Sequence, residues 1–576
     1  MSKTPNYDAK VKAILDATKP GERVCELTGE KWVMTQTDID RFRRFNVPPL
    51  QVSPKTFTKQ YLALHTGYSW WWNTDCETGK PILTYMHPSR PYQVMNDEAW
   101  RQKDFSDRGR DLDIHASFFA QLIDLAKTVP MSAWKNTQQP INSIARISLG
   151  DENSYFMAGT QSKNCCFGTD SFALEDSMEV GWSSHITRCY NILRCQNMDR
   201  CIVARESRQC LECLFIFDCR DSEFCFFSWN RRHGKYLWRN EPLSKGEWEK
   251  RRADLDLGSF KTFDGLYREF QHALATDAVW PENFNIKSER CTGEYLINCV
   301  DVEHGWYSEG AKDCWWSIWG QLGSEGNALG IDIHGSGGFG NGVSFNSSAC
   351  RFNWFVNRCQ RVEYCIECDD CEDCFGCVGI RRKRFHILNK PYPEEDYWRV
   401  VDELKCAMLE RGEYGAYLPQ ELAQTPFQHS ACPVGFITSK EEQEKIGFIQ
   451  FDPDADGAFG DWNGKPMHEV ASLPDHIKDV EDVWVGRAIY DHALKRPYGI
   501  LKSELEFYRR MNLPLRRGHF ISLVEQGLWA ELNMVQTTQG ACHVCGKETV
   551  IAQNRTYPNR TIYCRACYLE YMERNG

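Results

Sequence analysis

The 576 residues hold no apolar run long enough to cross a bilayer, which excludes a helical membrane span. Residues 1–24 are polar and charged, unlike the basic-then-apolar leader of a secreted protein. There is no HExxH or paired-histidine arrangement, and no Ser/His/Asp set assembles from local signatures. Neither sign of charge dominates: the net charge is −11 with both signs mixed along the chain. That argues against a general polyanion binder and leaves nucleic acid as a partner only through local basic patches. Together these absences predict a globular cytoplasmic protein with no membrane partner, in a compartment where thiols stay reduced. The 27 cysteines are then expected as thiols or metal ligands before disulfides.

What is present is a register. Counting by six from Cys165, the chain reads Cys165, Ser171, Ser177, Ser183, Cys189, Cys195, Cys201, Ser207, Cys213, Cys219, Cys225. Three residues after each comes a mostly apolar residue, such as Leu174, Val180, Ile186, Ile192, Met198 and Ile216. A stride of six walks around a helix, so an α-helix does not fit. A stacked β-solenoid does, because its inward positions recur from coil to coil. Three hexads per coil would stack Cys165, Ser183, Cys201 and Cys219 in one column, about 4.8 Å apart. Handedness stays open.

A second tract repeats the rhythm from Cys299 to Cys377, where Leu329 is the only large residue at the stride-six positions. The tracts match at an offset of 149 residues, which carries Cys165, Cys201, Cys210, Cys219 and Cys225 onto Cys314, Cys350, Cys359, Cys368 and Cys374. Each tract is followed by a helix signal, Ser244-Lys245-Gly246-Glu247 in one and Pro393 before Glu394, Glu395 and Asp396 in the other. A second duplication brackets the first. Thr37–Pro48 matches Ser503–Pro514 at an offset of 466, which also carries Cys76 onto Cys542. The predicted fold is mainly β with α: a duplicated parallel β-solenoid flanked by small zinc-ribbon or treble-clef-like modules at both ends. The predicted segments are an N-terminal degenerate ribbon module (1–130), solenoid copy 1 (131–240), a helical insert (241–290), solenoid copy 2 (291–390), a helical segment with acidic linker (391–470) and a C-terminal zinc module (471–576).

The sharpest chemical motif is at the C-terminal end. Cys542-His543-Val544-Cys545 and Cys564-Arg565-Ala566-Cys567 are two C-x-x-C pairs separated by 18 residues. Zinc wants four deprotonated soft ligands in a tetrahedron, and each pair supplies two. One structural Zn2+ at Cys542, Cys545, Cys564 and Cys567 is predicted, with Gly546 favouring a tight turn and His543 at the surface. A closed four-cysteine shell leaves no open position for catalysis. The N-terminal turns at Cys25 and Cys76 carry one cysteine each, and the positions facing Cys564 and Cys567 are Glu98 and Arg101. That module is expected to be metal-free and held by its core. The offset also places Asp491 opposite Cys25.

The cluster Cys359 to Cys377 is open to several readings. Cys365, Cys368, Cys371 and Cys374 could hold a second metal, an iron–sulfur, zinc or copper site. The same positions continue a register that elsewhere carries Ser, Gly and Ala, which favours a packing ladder of small buried thiols. Oxidative cross-linking is the third reading. Gly335–Gly340 satisfies G-x-G-x-x-G, but no helix signal follows it, so nucleotide binding is discounted. Asp452–Gly457 begins like a calcium loop, yet Asn463 stands where a bidentate Glu is needed. The dense tryptophans Trp70–Trp72 and Trp315, Trp316, Trp319 are expected mainly in cores. Arg43, Arg44, Arg509 and Arg510 are expected on solvated helix faces.

The C-x-x-T-G turn at Cys25, the stretch Glu506–Pro514, the closing C-x-x-C pairs, and Cys371–Cys377 followed by Asn389–Tyr392 carry a resemblance. The chain resembles a group of uncharacterised cysteine-rich proteins recurring in candidate-phyla bacteria, over nearly its whole length. The resemblance implies the zinc module and the solenoid and brings no assigned activity. The expected function is a zinc-stabilised structural or interaction protein rather than an enzyme, with protein partners that include a second copy of itself. An RNA- or ribosome-associated factor and a β-helix protein acting on polysaccharide are the alternatives. No catalytic or cofactor-binding residue is assigned.

Overall fold

A computed structural model describes residues 2–320, 323–451 and 466–576; the calcium-like stretch at 452–463 falls outside them. The chain groups into two compact units, one of Met1–Ala133 with Phe284–Asp452, the other of Trp134–Asn283 with Pro453–Gly576. Both are mixed α/β, and parallel strands dominate both.

In the second unit, every third residue from Asn164 to Arg239 has positive φ. Each triplet thus has a left-handed residue, then a buried one, then one on the outer face. Cys165, Leu174, Val180, Ile186, Cys189, Ile192 and Cys195 share one core. Strands of four residues form between the turns and pair in parallel at a spacing of twelve, as in Met178↔Tyr190↔Ile202 and Ser184↔Gln196↔Arg208. Among the described residues, nine strands from Cys166–Glu175 to Glu223–Trp229 close into a ring, because the first pairs with both Met178–Gly181 and Ser184–Thr187.

This corrects the expected three hexads per coil. The register is two hexads, so Ser177, Cys189, Cys201, Cys213 and Cys225 fall in one column and Ser171, Ser183, Cys195, Ser207 and Cys219 in the next. The physical reason is the left-handed corner every three residues, which turns the chain back after four triplets instead of six. It also explains why hexads show Cys or Ser. The N–H of Cys189 is received by Ser177 Oγ (3.0 Å), that of Cys201 by Cys189 Sγ (3.3 Å), and that of Cys219 by Ser207 Oγ (3.1 Å). Each such side chain also donates to the carbonyl two residues back, as Ser177 does to Glu175 (2.7 Å) and Cys189 to Thr187 (3.1 Å). In this ladder the position carries a small side chain that both donates and accepts, because burial leaves its backbone partners no water.

The first unit repeats the design from Gly293–Glu294 through Arg384–Ile387. Its register slips once each way. Val300 pairs with Lys312, but Trp315 pairs with Ala328, and Ile331 with Gly342 before the spacing returns to twelve at Trp354. Leu329 is the large residue in the stride-six series because it sits on a left-handed corner (φ 50) there, not on an inward position. The inward work passes to Asn327, whose Oδ1 accepts from Gly338 N–H (2.8 Å) and whose Nδ2 donates to Gly335 O (2.7 Å). Gly335 is required by backbone proximity, since a Cβ there would lie 1.9 Å from the Ser347 carbonyl oxygen; the glycine run serves the ladder and not a phosphate.

Helices begin where the sequence signals them. Ser244 Oγ accepts from Glu247 N–H (3.2 Å) at the head of Lys245–Asp254, and Glu394–Glu410 starts directly after Pro393. The duplicated helices Gln36–Phe45 and Lys502–Met511 both end on a left-handed asparagine, Asn46 and Asn512.

Candidate metal centre

Strands Asn533–Ala541 and Glu548–Asn554 form an antiparallel hairpin whose turn begins at Cys542. Cys542 N–H donates to Lys547 O (2.9 Å) and Gly546 N–H to Cys542 O (2.9 Å), with Gly546 at φ +71. The turn aims Cys542 and Cys545 at Cys564, which heads the helix Arg565–Asn575, and at Cys567 on its first turn. The ligand atoms of the four cysteines all lie within 4.8 Å of one another, and Cys545 Sγ is 3.8 Å from Cys564 Sγ. Burial opposes ionisation of Cys542, but the backbone N–H groups of Cys545, Cys564 and Val544 outweigh it and bring that thiol down to about 6. Hydrogen bonding with Cys545 and Cys564 pushes the Cys567 thiol up. Four thiol sulfurs this close together form a donor set that could hold a metal ion.

His543 is exposed, as expected for a residue between ligands, yet it is engaged. Its N–H donates to Ile562 O (3.0 Å), and Ile562 N–H donates to its Nδ1 (3.0 Å). That pair ties the first C-x-x-C turn to the strand Thr561–Tyr563, which leads into the second.

The other turns show how a knuckle is tied without four cysteines. The N-terminal turn expected at Cys76 begins one residue earlier. Gly79 N–H donates to Asp75 O (2.8 Å), just as Gly546 does to Cys542. Asp75 therefore takes the place of Cys542, and the Cys76 side chain is exposed. Asp75 Oδ1 accepts from Thr78 N–H (2.8 Å), and its Oδ2 from Asn96 N–H (2.8 Å), where Asn96 caps the helix Asp97–Gln102. The sequence match at an offset of 466 placed Glu98 and Arg101 opposite the second cysteine pair; the carboxylate of Asp75 instead bonds the cap itself. Asp491 repeats the arrangement. Its Oδ1 accepts from Ala493 N–H (2.8 Å), and its Oδ2 from His519 N–H (2.7 Å) at the head of Phe520–Ser522. At Cys25 the thiol donates to Thr56 Oγ1 (3.5 Å) on the helix Pro54–Leu64. Thr28-Gly29 aligned with Thr78-Gly79 puts Asp75 opposite Cys25 in the sequence, but an acid at that position carries no cysteine spacing to mark it.

Among the described residues, Cys542, Cys545, Cys564 and Cys567 form the only group of three or more candidate ligands within that distance. Cys365, Cys368, Cys371 and Cys374 occupy successive inward positions of the other ladder and are buried. Their thiols donate to backbone carbonyls, Cys368 to Cys377 O (3.4 Å) and Cys371 to Ile380 O (3.4 Å). Burial pushes the Cys365 and Cys368 thiols well up, which holds them as neutral donors. Trp70 and Trp71 are buried and Trp72 is exposed; Trp315 is buried against Phe42. The chain matches no protein-family model and no curated protein.

Proposed function

We propose that this chain is a cytoplasmic, zinc-stabilised structural and interaction protein, in which a duplicated β-solenoid presents long faces to protein partners, a second copy included. The four-cysteine group carries the reading. A tetrahedron of Zn–S bonds of about 2.3 Å has edges of about 3.8 Å, and the Cys545–Cys564 separation is 3.8 Å. Cys542, Cys545, Cys564 and Cys567 would hold the ion, which supplies cross-linking of a hairpin turn to a helix start, as in a treble-clef-like module. All four ligands come from protein, so the site suits a folding staple. The solenoid reading draws on the twelve-residue parallel register, which sets side chains in evenly spaced rows on the outer face.

The arginines that would serve an RNA reading face acids: Arg43 with Asp16 (3.0 Å), Arg44 with Asp313, and Arg509 with Asp482 (2.6 Å). The groove over Asn197, Asp199, Gln209, Asp221 and Glu223 has no tryptophan in its lining, so it lacks the stacking subsites a polysaccharide reading needs.

The test is metal analysis beside native mass on the purified full chain. One zinc per chain is expected, lost together with thermal stability in Cys542→Ser/Cys545→Ser. Less than one zinc per chain sinks the proposal.

A further inference from the structure

The candidate metal centre and the ladder of the same unit share a hydrogen-bond circuit. Asp218 sits on a left-handed corner of the ladder (φ 47) and is fully buried. Its carboxylate accepts from the Tyr568 hydroxyl, from Asn230 Nδ2 (3.1 Å) and from the Arg232 guanidinium (3.2 Å). Arg232 also donates to Tyr568 Oη (3.1 Å). Tyr568 directly follows Cys567, so a proposed ligand and the Asp218 contact share one helical turn. A second route runs through strands. Asn230 Nδ2 donates to Val279 O (2.8 Å), and its Oδ1 accepts from Val279 N–H (2.9 Å). Val279–Pro281 pairs with Thr561–Tyr563, which ends beside Cys564 and holds His543 through Ile562. Each C-x-x-C pair therefore reaches Asp218 or Asn230 through paired elements.

The helix that carries Tyr568 is held at the surface, by the Tyr563–Tyr571 ring contact and by Arg231, which donates to Asn575 O, besides Tyr568 itself. No side chain of Arg565–Asn575 is fully buried, and an isolated helix of 11 residues is marginal in water. An ion at its first turn fixes that turn; without the ion the turn frays, and Asp218 loses the Tyr568 donor and keeps Asn230, Arg232 and Arg220 (3.0 Å). Cys545 is exposed, so chelators and oxidants reach the site.

We infer that metal occupancy at Cys542, Cys545, Cys564 and Cys567 is transmitted to the closing turns of the ladder, residues 214–238, through Tyr568 and Asn230. The end of the ladder thereby responds to metal supply. This rests on the zinc reading above.

Hydrogen exchange on the full chain, with and without chelator, tests it, with zinc measured on the same samples. Chelation is expected to speed exchange in peptides covering 214–238 and 279–281 roughly tenfold, the loss of one hydrogen bond to a charged group. Peptides covering 184–199 stay unchanged. Tyr568→Phe is expected to keep one zinc and to show the faster exchange in 214–238 before chelation. Zinc release with changes confined to 541–576, or a Tyr568→Phe chain that exchanges as the parent does, overturns the inference alone. A chain that carries no zinc overturns the zinc reading and the inference with it.

Discussion

Ser207 illustrates what a hydroxyl does inside this ladder. It is fully buried, accepts the N–H of Cys219 at 3.1 Å and donates to Arg205 O at 2.9 Å. Ser207→Ala leaves a buried N–H without an acceptor and is expected to cost about 1–3 kcal/mol, whereas Ser207→Cys keeps both roles, as Cys195 does one column neighbour earlier with Ser207 itself (3.4 Å). Denaturant midpoints of the two variants measure this; equal loss in both removes the hydrogen-bond account and leaves only volume. The alternation of Cys and Ser was legible in the sequence, but its cause was not. Packing alone would have admitted alanine freely, and the twelve-residue partner of each side chain becomes visible only in three dimensions. The same holds for Asp75 and Asp491, which tie their turns to helix caps by hydrogen bonds.

At the scale of the element, the coil is the unit of repetition. The hexad is legible because polar-small and apolar inward residues alternate at every third position. The true coil of twelve is not, because any multiple of six keeps that alternation. Deleting residues 184–195 removes one whole turn and preserves the pairing of every remaining strand, while deleting 184–189 removes half a turn and sets Tyr190–Leu193 on the side where Ser184–Thr187 belongs. The first deletion is expected to keep a cooperative melt at reduced midpoint, and the second to abolish it. Circular dichroism melts decide between a twelve-residue coil and the eighteen residues that three hexads would need; indistinguishable melts would falsify the coil assignment. The helix starts at Ser244 and Pro393 are legible because they are local: the Ser244 cap depends on a residue three along and Pro393 on its own fixed φ.

Across the whole molecule, the chain crosses between the two units three times, so neither is a continuous stretch. The ladder of the second unit depends on residues that come roughly 300 positions later in sequence. Arg205 is buried with Glu531 (2.6 Å), and Tyr190 packs against Phe507 and Tyr508. A chain ending at residue 452 leaves that arginine without its carboxylate, a loss of about 3–5 kcal/mol, and bares the aromatic face. It is expected to bind a hydrophobic dye and to lose protection in 184–238 while 293–387 stays protected, as hydrogen exchange reads out; unchanged protection in 184–238 would show that this ladder folds without its C-terminal cover. By itself the sequence determined the repeat, its duplication and the four-cysteine set, since each is a matter of residue type at fixed short spacing. Only the tertiary structure decided the size of the coil, the start of the Asp75 turn, and which distant segments cover which ladder. Those depend on backbone corners and on contacts between residues hundreds of positions apart, and no local pattern encodes either.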